Sequence, residues 1–176
     1  MTRLPLYVAI MGDAFSQLSP SVQHFHRLTG QQVLHGWVAV SAPLSWTAKL
    51  LALLLGTPLT ASQGYIKFEL QAEPQEETWT RYFPTKTMRS TLTRKGPSLL
   101  EKLGAARLTF YLQEKEGALE MRLERLHFFG VPCPVWLMPE ITARETSVHG
   151  QLHFQVEASV RGIGLVSGYR GHLELP

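Results

Sequence analysis

The residues best able to do chemistry lie at alternate positions of predicted strands, where a two-residue period places them on one face. Trp79, Arg81 and Phe83 share such a face, so a guanidinium lies between two aromatic rings. An arginine in this setting can stack on the rings or bind a carboxylate or phosphate through two hydrogen bonds. The alternative is that this face is the solvated one and that the rings are surface residues.

Two glutamates and a tyrosine show the same pattern. Glu145, Glu101 and Tyr169 each share a predicted strand face with aliphatic residues. A buried carboxylate must be paired or neutral. Arg81 is one natural partner of either glutamate, and Arg89 and Arg94 are others. Three interpretations remain open: a structural ion pair, a polar cluster that orients a ligand, or a general acid and base. The first requires no function at all.

The segment 130–139 combines three prolines with large apolar side chains, Trp136 among them. Proline removes backbone donors and fixes φ, so this segment cannot be a central strand. Because loops are otherwise polar and solvated, an apolar loop is expected to cover a core or to border a cavity. We therefore predict a lid or cavity rim here, with Trp136 as a ligand contact.

Other motifs of enzymes are absent from the sequence. It has neither a G-x-S-x-G nucleophile motif nor a phosphate-binding G-x-x-x-x-G-K loop. The seven histidines and the single cysteine lack the spacing of a zinc site. We predict no metal, no cofactor and no assigned catalytic residue, and we leave open whether the chain has an activity of its own, with the absence of one favoured.

The elements that must position these residues are mainly strands. Strict alternation from residue 64 onward is typical of antiparallel strands with one packed face. The predicted fold is α+β and mostly β: a large curved antiparallel meander of about nine strands, a half-barrel or barrel, packed around one or two helices. Helices are predicted within 9–29 and 44–55, and strands within 31–41 and 64–175, in a single domain spanning 1–176.

The helix predicted over 44–55 is apolar around most of its circumference, with leucines at 50, 51, 53, 54 and 55. A helix of this kind is buried on most sides. We therefore expect it to lie against the concave face of the sheet.

Composition narrows the class of protein. The net charge of +3 comes without any run of four basic residues, which argues against nucleic-acid binding. One cysteine excludes an internal disulfide and favours a reducing, cytoplasmic location. The most apolar segment is too short to be a transmembrane helix.

Several motifs in order resemble a known family. They are the segments 12–15, 79–83, 100–104, 130–134 and 164–173, together with Pro139 and Glu145. This series resembles the bacterial domain of unknown function 4166, which stands alone or follows a saccharopine-dehydrogenase-like domain. The resemblance implies that the chain works together with an oxidoreductase. It implies no established activity and no catalytic residue.

Two functions follow from these observations. The first is a binding module for a hydrophobic or lipid-like small molecule, held in a pocket between sheet and helix. The second is an accessory or interaction domain that partners an NAD(P)-dependent oxidoreductase, with the loop 130–139 as the docking segment.

Overall fold

The computed structural model describes residues 4–176 and consists mainly of antiparallel strands. There are eleven strands in the described residues, whereas the alternation predicts about nine. The number is larger because turns divide the predicted strand regions, 31–41 and 64–175, into more strands than expected. Their bounds are β1 (Gly30–Ser41), β2 (Ser62–Glu73), β3 (Glu76–Tyr82), β4 (Thr87–Lys95), β5 (Ser98–Leu103), β6 (Ala106–Lys115), β7 (Ala118–Phe128), β8 (Val131–Pro132), β9 (Glu140–Val148), β10 (Gln151–Val160) and β11 (Gly164–Leu173).

Ten of these strands form a closed barrel. Consecutive strands pair from β1 to β7, β7 pairs with β9, and β11 returns to pair with β1. The two-residue β8 lies outside the ring, on β7. Closure removes the free edges that an open sheet of this size would expose, so the predicted mostly β, antiparallel fold is confirmed in its closed form.

Successive side chains along each strand point alternately to the inside and the outside of the barrel, as β1 shows. Leu34, Val38 and Val40 point into the barrel and are buried, whereas Val33 and Trp37 are exposed on its outer wall. Most inward residues of the barrel strands form one large apolar core, and Val160 and Val166 form a smaller cluster with α3. Each strand therefore presents every second side chain to the interior.

Two short N-terminal helices close one end of the barrel. They are α1 (Leu6–Met11) and α2 (Pro20–Phe25), joined through a 3-10 helix over Gly12–Gln17. The Ser19 amide donates to the Gly117 carbonyl in the β6–β7 turn, and the Ser147 hydroxyl on β9 donates to that of Ser21. These helices, together with His26, form an N-terminal plug that closes this end of the barrel. The plug also supplies side chains to the interior.

The third helix, α3 (Trp46–Leu55), lies across the opposite end. The Ser45 side chain caps its first turn, and the Leu54 carbonyl accepts from the Ala105 amide in the β5–β6 turn. Its burial is the reverse of the prediction: only Ala48 and Ala52 are fully buried, and several leucines are exposed. Small residues allow the helix to approach the barrel closely, so α3 is a cap and not a core helix within the sheet.

Candidate functional site

A cavity lies inside the barrel, between the N-terminal plug and the middle of the strands. The volume of this cavity is about 80 Å³. One water needs only about 10–15 Å³ by this measure, so the space exceeds a single buried water. Most of the wall is aliphatic or aromatic, including Phe25, Ile66, Phe68, Leu92, Phe110, Met121, Leu152, Phe154 and Val156.

A small number of polar residues interrupt this apolar wall: Arg81, Glu101, Glu145, Tyr169 and Arg144. The Arg144 side chain is the exception among them, because it points outward and approaches Glu120 at 4.0 Å. Among the described residues, the charged groups that line the cavity and point into it are therefore two carboxylates and one guanidinium.

Arg81 is buried on β3 and is held on several sides. Its Nη1 donates to the Ser90 hydroxyl at 3.1 Å, and its Nη2 lies 3.8 Å from Glu101 Oε1. Its guanidinium carbon is 4.9 Å from the centre of the Trp79 ring, within the range of a cation–π contact. Arginine has five N–H donors, so these contacts leave capacity for a ligand.

Glu145 is bonded to a histidine from the plug. His26, at the end of α2, places Nε2 2.6 Å from Glu145 Oε2, and the side-chain exposures are 0% and 8%. The Tyr7 ring stacks on His26 with centroids 3.7 Å apart. Such a buried pair is costly to break, because removal of one partner leaves the other uncompensated.

The polar cluster around this pair is not satisfied by the protein alone. Within residues 4–176, the Tyr7 hydroxyl and His26 Nδ1 are buried and have no hydrogen-bond partner. Burial, and then the nearby Glu145 charge, raise the pKa of Tyr7 well above its ordinary value. The phenol therefore stays protonated and is available as a donor.

Tyr169 on β11 adds a second phenol, this one on the cavity wall. Burial raises the pKa of its hydroxyl, and the Arg81 charge offsets part of that rise. Its ring packs edge-on against Phe83 with centroids 5.2 Å apart. Tyr169 is thus a neutral hydrogen-bonding group in an apolar setting.

The sequence profile of a family described as "Domain of unknown function (DUF4166)" matches residues 18–173. The chain belongs to this family. No curated protein matches it. Among solved structures, that described as "Crystal Structure of Rv2717c from M. tuberculosis" matches with a TM-score of 0.47 and 12% identity, over 90% of this chain and 99% of that chain. The DUF4166 match names no activity, so association with an oxidoreductase stays a prediction.

The residues predicted from the sequence do not all meet in the cavity of this DUF4166 chain. Trp79, Arg81, Glu101, Glu145 and Tyr169 line it. Phe83 is buried beside Tyr169 without lining the cavity, and Trp136 is 80% exposed on the outer surface. Of the two glutamates predicted as partners of Arg81, it faces Glu101, whereas Glu145 is bonded to His26.

Sequence reasoning missed three groups of the interior: Tyr7, His26 as the partner of Glu145, and Glu77. Glu77 is only 3% exposed and accepts a hydrogen bond from Trp79 Nε1 at 2.9 Å. Its position two residues before Trp79 on the same strand was a usable signal, because it shares the face of Trp79 and Arg81. His26 follows Val22 by four residues, a spacing that indicates an inward direction without naming a partner, whereas Tyr7 had no such signal.

In the part of the chain that the structure describes, no group of three or more His, Cys, Asp and Glu side chains comes close enough to hold a metal ion. Within residues 4–176 no helix combines the length and apolar character required to cross a bilayer.

Glu77 leads to a prediction on pH. Burial raises the pKa of its carboxyl, an effect that His26 and the Trp79 hydrogen bond oppose in part. A raised pKa in the folded state means that the contribution of Glu77 to stability is full at low pH and is lost as pH rises through the folded-state pKa. Replacement Glu77→Gln removes this loss, so the melting temperature at neutral pH is expected to rise by roughly 2–4 °C.

Thermal unfolding followed by circular dichroism between about pH 4 and about pH 8 measures this effect. The gain from Glu77→Gln should shrink toward acid pH. Glu76→Gln, at an exposed position of the same strand, is the matched control and should change little. A lower melting temperature for Glu77→Gln at neutral pH would show that the ionised carboxylate stabilises the fold.

The end of the barrel capped by α3 carries exposed apolar side chains on two neighbouring segments, which we call the apolar end patch. From 44–53 it includes Leu44, Trp46, Leu50 and Leu53, and from 129–136 it includes Phe129, Val131, Val135 and Trp136. The segments are adjacent, because Leu137 packs against the same buried cluster as Leu51 and Leu55 of α3 and lines one small cavity with them. The loop 129–139 therefore lies beside the cap, and its tryptophan faces outward.

Proposed function

We propose that the barrel binds a small, mainly apolar molecule that carries an uncharged polar group, such as a hydroxyl or carbonyl. The observation that carries this proposal is the cavity of about 80 Å³, with an apolar wall and a few convergent polar groups. Ligand pockets have this composition: the apolar surface supplies binding energy and the polar groups supply orientation.

The charges of the interior favour an uncharged ligand. Glu101 and Glu145 face the cavity, whereas Arg81 is the one guanidinium that does so in the described residues, and it already faces Glu101. A third carboxylate brought in by a ligand would meet like charges in a setting of low dielectric, which is unfavourable. A hydroxyl or carbonyl can use the free donors of Arg81 and the Tyr169 hydroxyl without that cost.

An access route under the cap supports the same proposal. A smaller apolar cavity of about 30 Å³ lies between α3, the loop and the barrel, and Ile141 borders both cavities. Because Ile141 lines both cavities, movement of its side chain would connect the two spaces, and displacement of α3 and of the loop would open the smaller one to solvent. The ligand would then enter from the α3 end, because the plug occupies the other.

The test is competition for an uncharged fluorescent probe, N-phenyl-1-naphthylamine, together with solvent extraction of the freshly purified protein for mass spectrometry. We expect 1-octanol to displace the probe at a concentration at least about tenfold lower than octanoate does. Absence of both displacement and an extracted molecule would contradict the proposal, as would a preference for octanoate.

A variant that fills the cavity with a larger side chain tests whether the cavity is the binding site. Ala143 on β9 lines the cavity, so Ala143→Phe is expected to weaken displacement by octanol at least about tenfold through steric exclusion. Ala39→Phe, on the outward face of β1, is the matched control and should bind as the wild type does. If Ala143→Phe does not fold, Ala143→Leu repeats the test with a smaller addition; unchanged binding in a folded variant would contradict the assignment.

The alternative function, an accessory domain for an NAD(P)-dependent oxidoreductase, stays a prediction. It rests on the family resemblance and on the exposed loop, neither of which identifies a partner.

A further inference from the structure

The apolar end patch combines a helix face with a loop, both at the α3 end of the barrel. On α3, Trp46, Leu50 and Leu53 follow the spacing i, i+4, i+7 and are exposed along one side. The opposite side, with Ala48 and Ala52, is fully buried against the barrel. Exposed large apolar side chains grouped in this way mark a surface that is covered in use.

Charge distinguishes this end from the plugged end. The turns and segments at the α3 end (41–62, 83–87, 102–107, 128–140 and 159–165) contain the basic residues Lys49, Lys86, Lys102, Arg107 and Arg161, and one acidic residue, Glu140. All of these lie in the described part of the chain. At the plugged end, the segments 12–29, 72–76, 94–99, 114–118 and 173–176 hold six acidic and four basic residues.

We infer that the apolar end patch docks on an anionic lipid surface. An apolar face with tryptophans, rimmed by basic residues, is the composition of peripheral helices that lie in the bilayer interface. Lys49 lies on the exposed side of α3 near Trp46, so its ammonium can reach lipid phosphates while its methylene chain stays among apolar groups. This inference concerns the outer surface and does not depend on any ligand in the barrel.

A second copy of the chain fits the same patch less well. A two-fold interface brings the same surface of both copies together. The basic rim of one copy would then face the basic rim of the other, which is unfavourable. An anionic surface meets the same rim with the opposite charge.

The experiment measures co-sedimentation of the full chain with vesicles, and the shift in tryptophan emission. One set of vesicles is phosphatidylcholine alone; in the other, about a third of the lipid is phosphatidylglycerol, whose charge attracts basic residues. We expect binding to the anionic vesicles, a shift to shorter wavelength, and a loss of both at high salt.

The double variant Trp46→Ser, Trp136→Ser is expected to weaken vesicle binding at least about tenfold, because it removes the largest exposed apolar groups. Tyr65→Ser is the matched control: Tyr65 is 88% exposed, on the barrel wall outside the patch. The substituted positions are exposed, so the variants should keep the melting temperature of the wild type.

The charge variant Lys49→Gln, Arg161→Gln is expected to weaken binding to anionic vesicles by about fivefold for each charge. Lys95→Gln, Lys115→Gln, at the plugged end, removes the same charge and should bind as the wild type does. The inference is overturned if the wild type stays in the supernatant with anionic vesicles at low salt, or if the serine variant binds equally well. A stable dimer that the serine variant dissociates would assign the patch to a second copy and would overturn it too.

Discussion

The variant His26→Leu is expected to be less stable than the wild type by about 3–5 kcal/mol. His26 Nε2 lies 2.6 Å from Glu145 Oε2, and both side chains are buried. Leucine removes the partner and leaves the carboxylate inside an apolar barrel without a donor, so the cost of burying it is no longer offset. Chemical denaturation in urea, with the free energy of unfolding extrapolated to water, measures the loss.

Two further variants distinguish the contribution of the His26–Glu145 hydrogen bond to stability from the contribution of side-chain packing. His26→Gln keeps an N–H donor within the same helix and should lose less stability than His26→Leu. The double variant His26→Leu, Glu145→Leu removes both polar partners and should recover much of the loss, because replacement of a buried, paired polar couple by apolar residues is often neutral. If the double variant is as unstable as the sum of the two single variants, the pair makes no coupled contribution.

The variant Gly171→Ala is expected to cost about 3 kcal/mol or more, because the added methyl group has no space. A Cβ at Gly171 would lie 2.0 Å from the Trp37 carbonyl oxygen, and one at Gly36 would lie 1.8 Å from that of His172. These are backbone atoms of the β1–β11 pair, which closes the barrel. The methyl group can be accommodated only if the two strands move apart.

Gly168→Ala is the matched control on the same strand. Its Cβ would lie 3.4 Å from the Ser41 Cβ, which is an ordinary contact. We expect Gly168→Ala to unfold near the wild-type temperature and Gly171→Ala to unfold well below it. Similar thermal unfolding for the two variants would show that the β1–β11 pair is not under this constraint.

The alternation of the sequence was sufficient to group the residues that share a strand face, and the structure then shows which face is buried. On β3, buried Trp79 sets the inward face, and a period of two then places Arg81 on that face as well. The same reasoning puts Glu145 inside together with Ala143 on β9. A local sequence pattern can predict which residues share a face because all of these residues lie on one short strand.

The apolar helix shows where such reasoning ends. Leucines on all sides of 50–55 predict burial, yet α3 buries its alanines and exposes Leu50 and Leu53. The sequence of a helix predicts which side is buried only when one side is apolar and the opposite side is polar. In α3 no such contrast exists, so the orientation depends on which side approaches the barrel most closely.

The sequence by itself determined the family, the antiparallel strands, and which residues share a strand face with Arg81, Glu101 and Glu145. The tertiary structure alone decided that these faces point inward, that the barrel closes, and which partners these side chains have. His26 and Glu145 are 119 residues apart, and they meet because the plug enters the end where the β9–β10 turn lies. Strand faces follow from the neighbouring residue, whereas such a pairing depends on the summed geometry of all ten strands, which no local pattern contains.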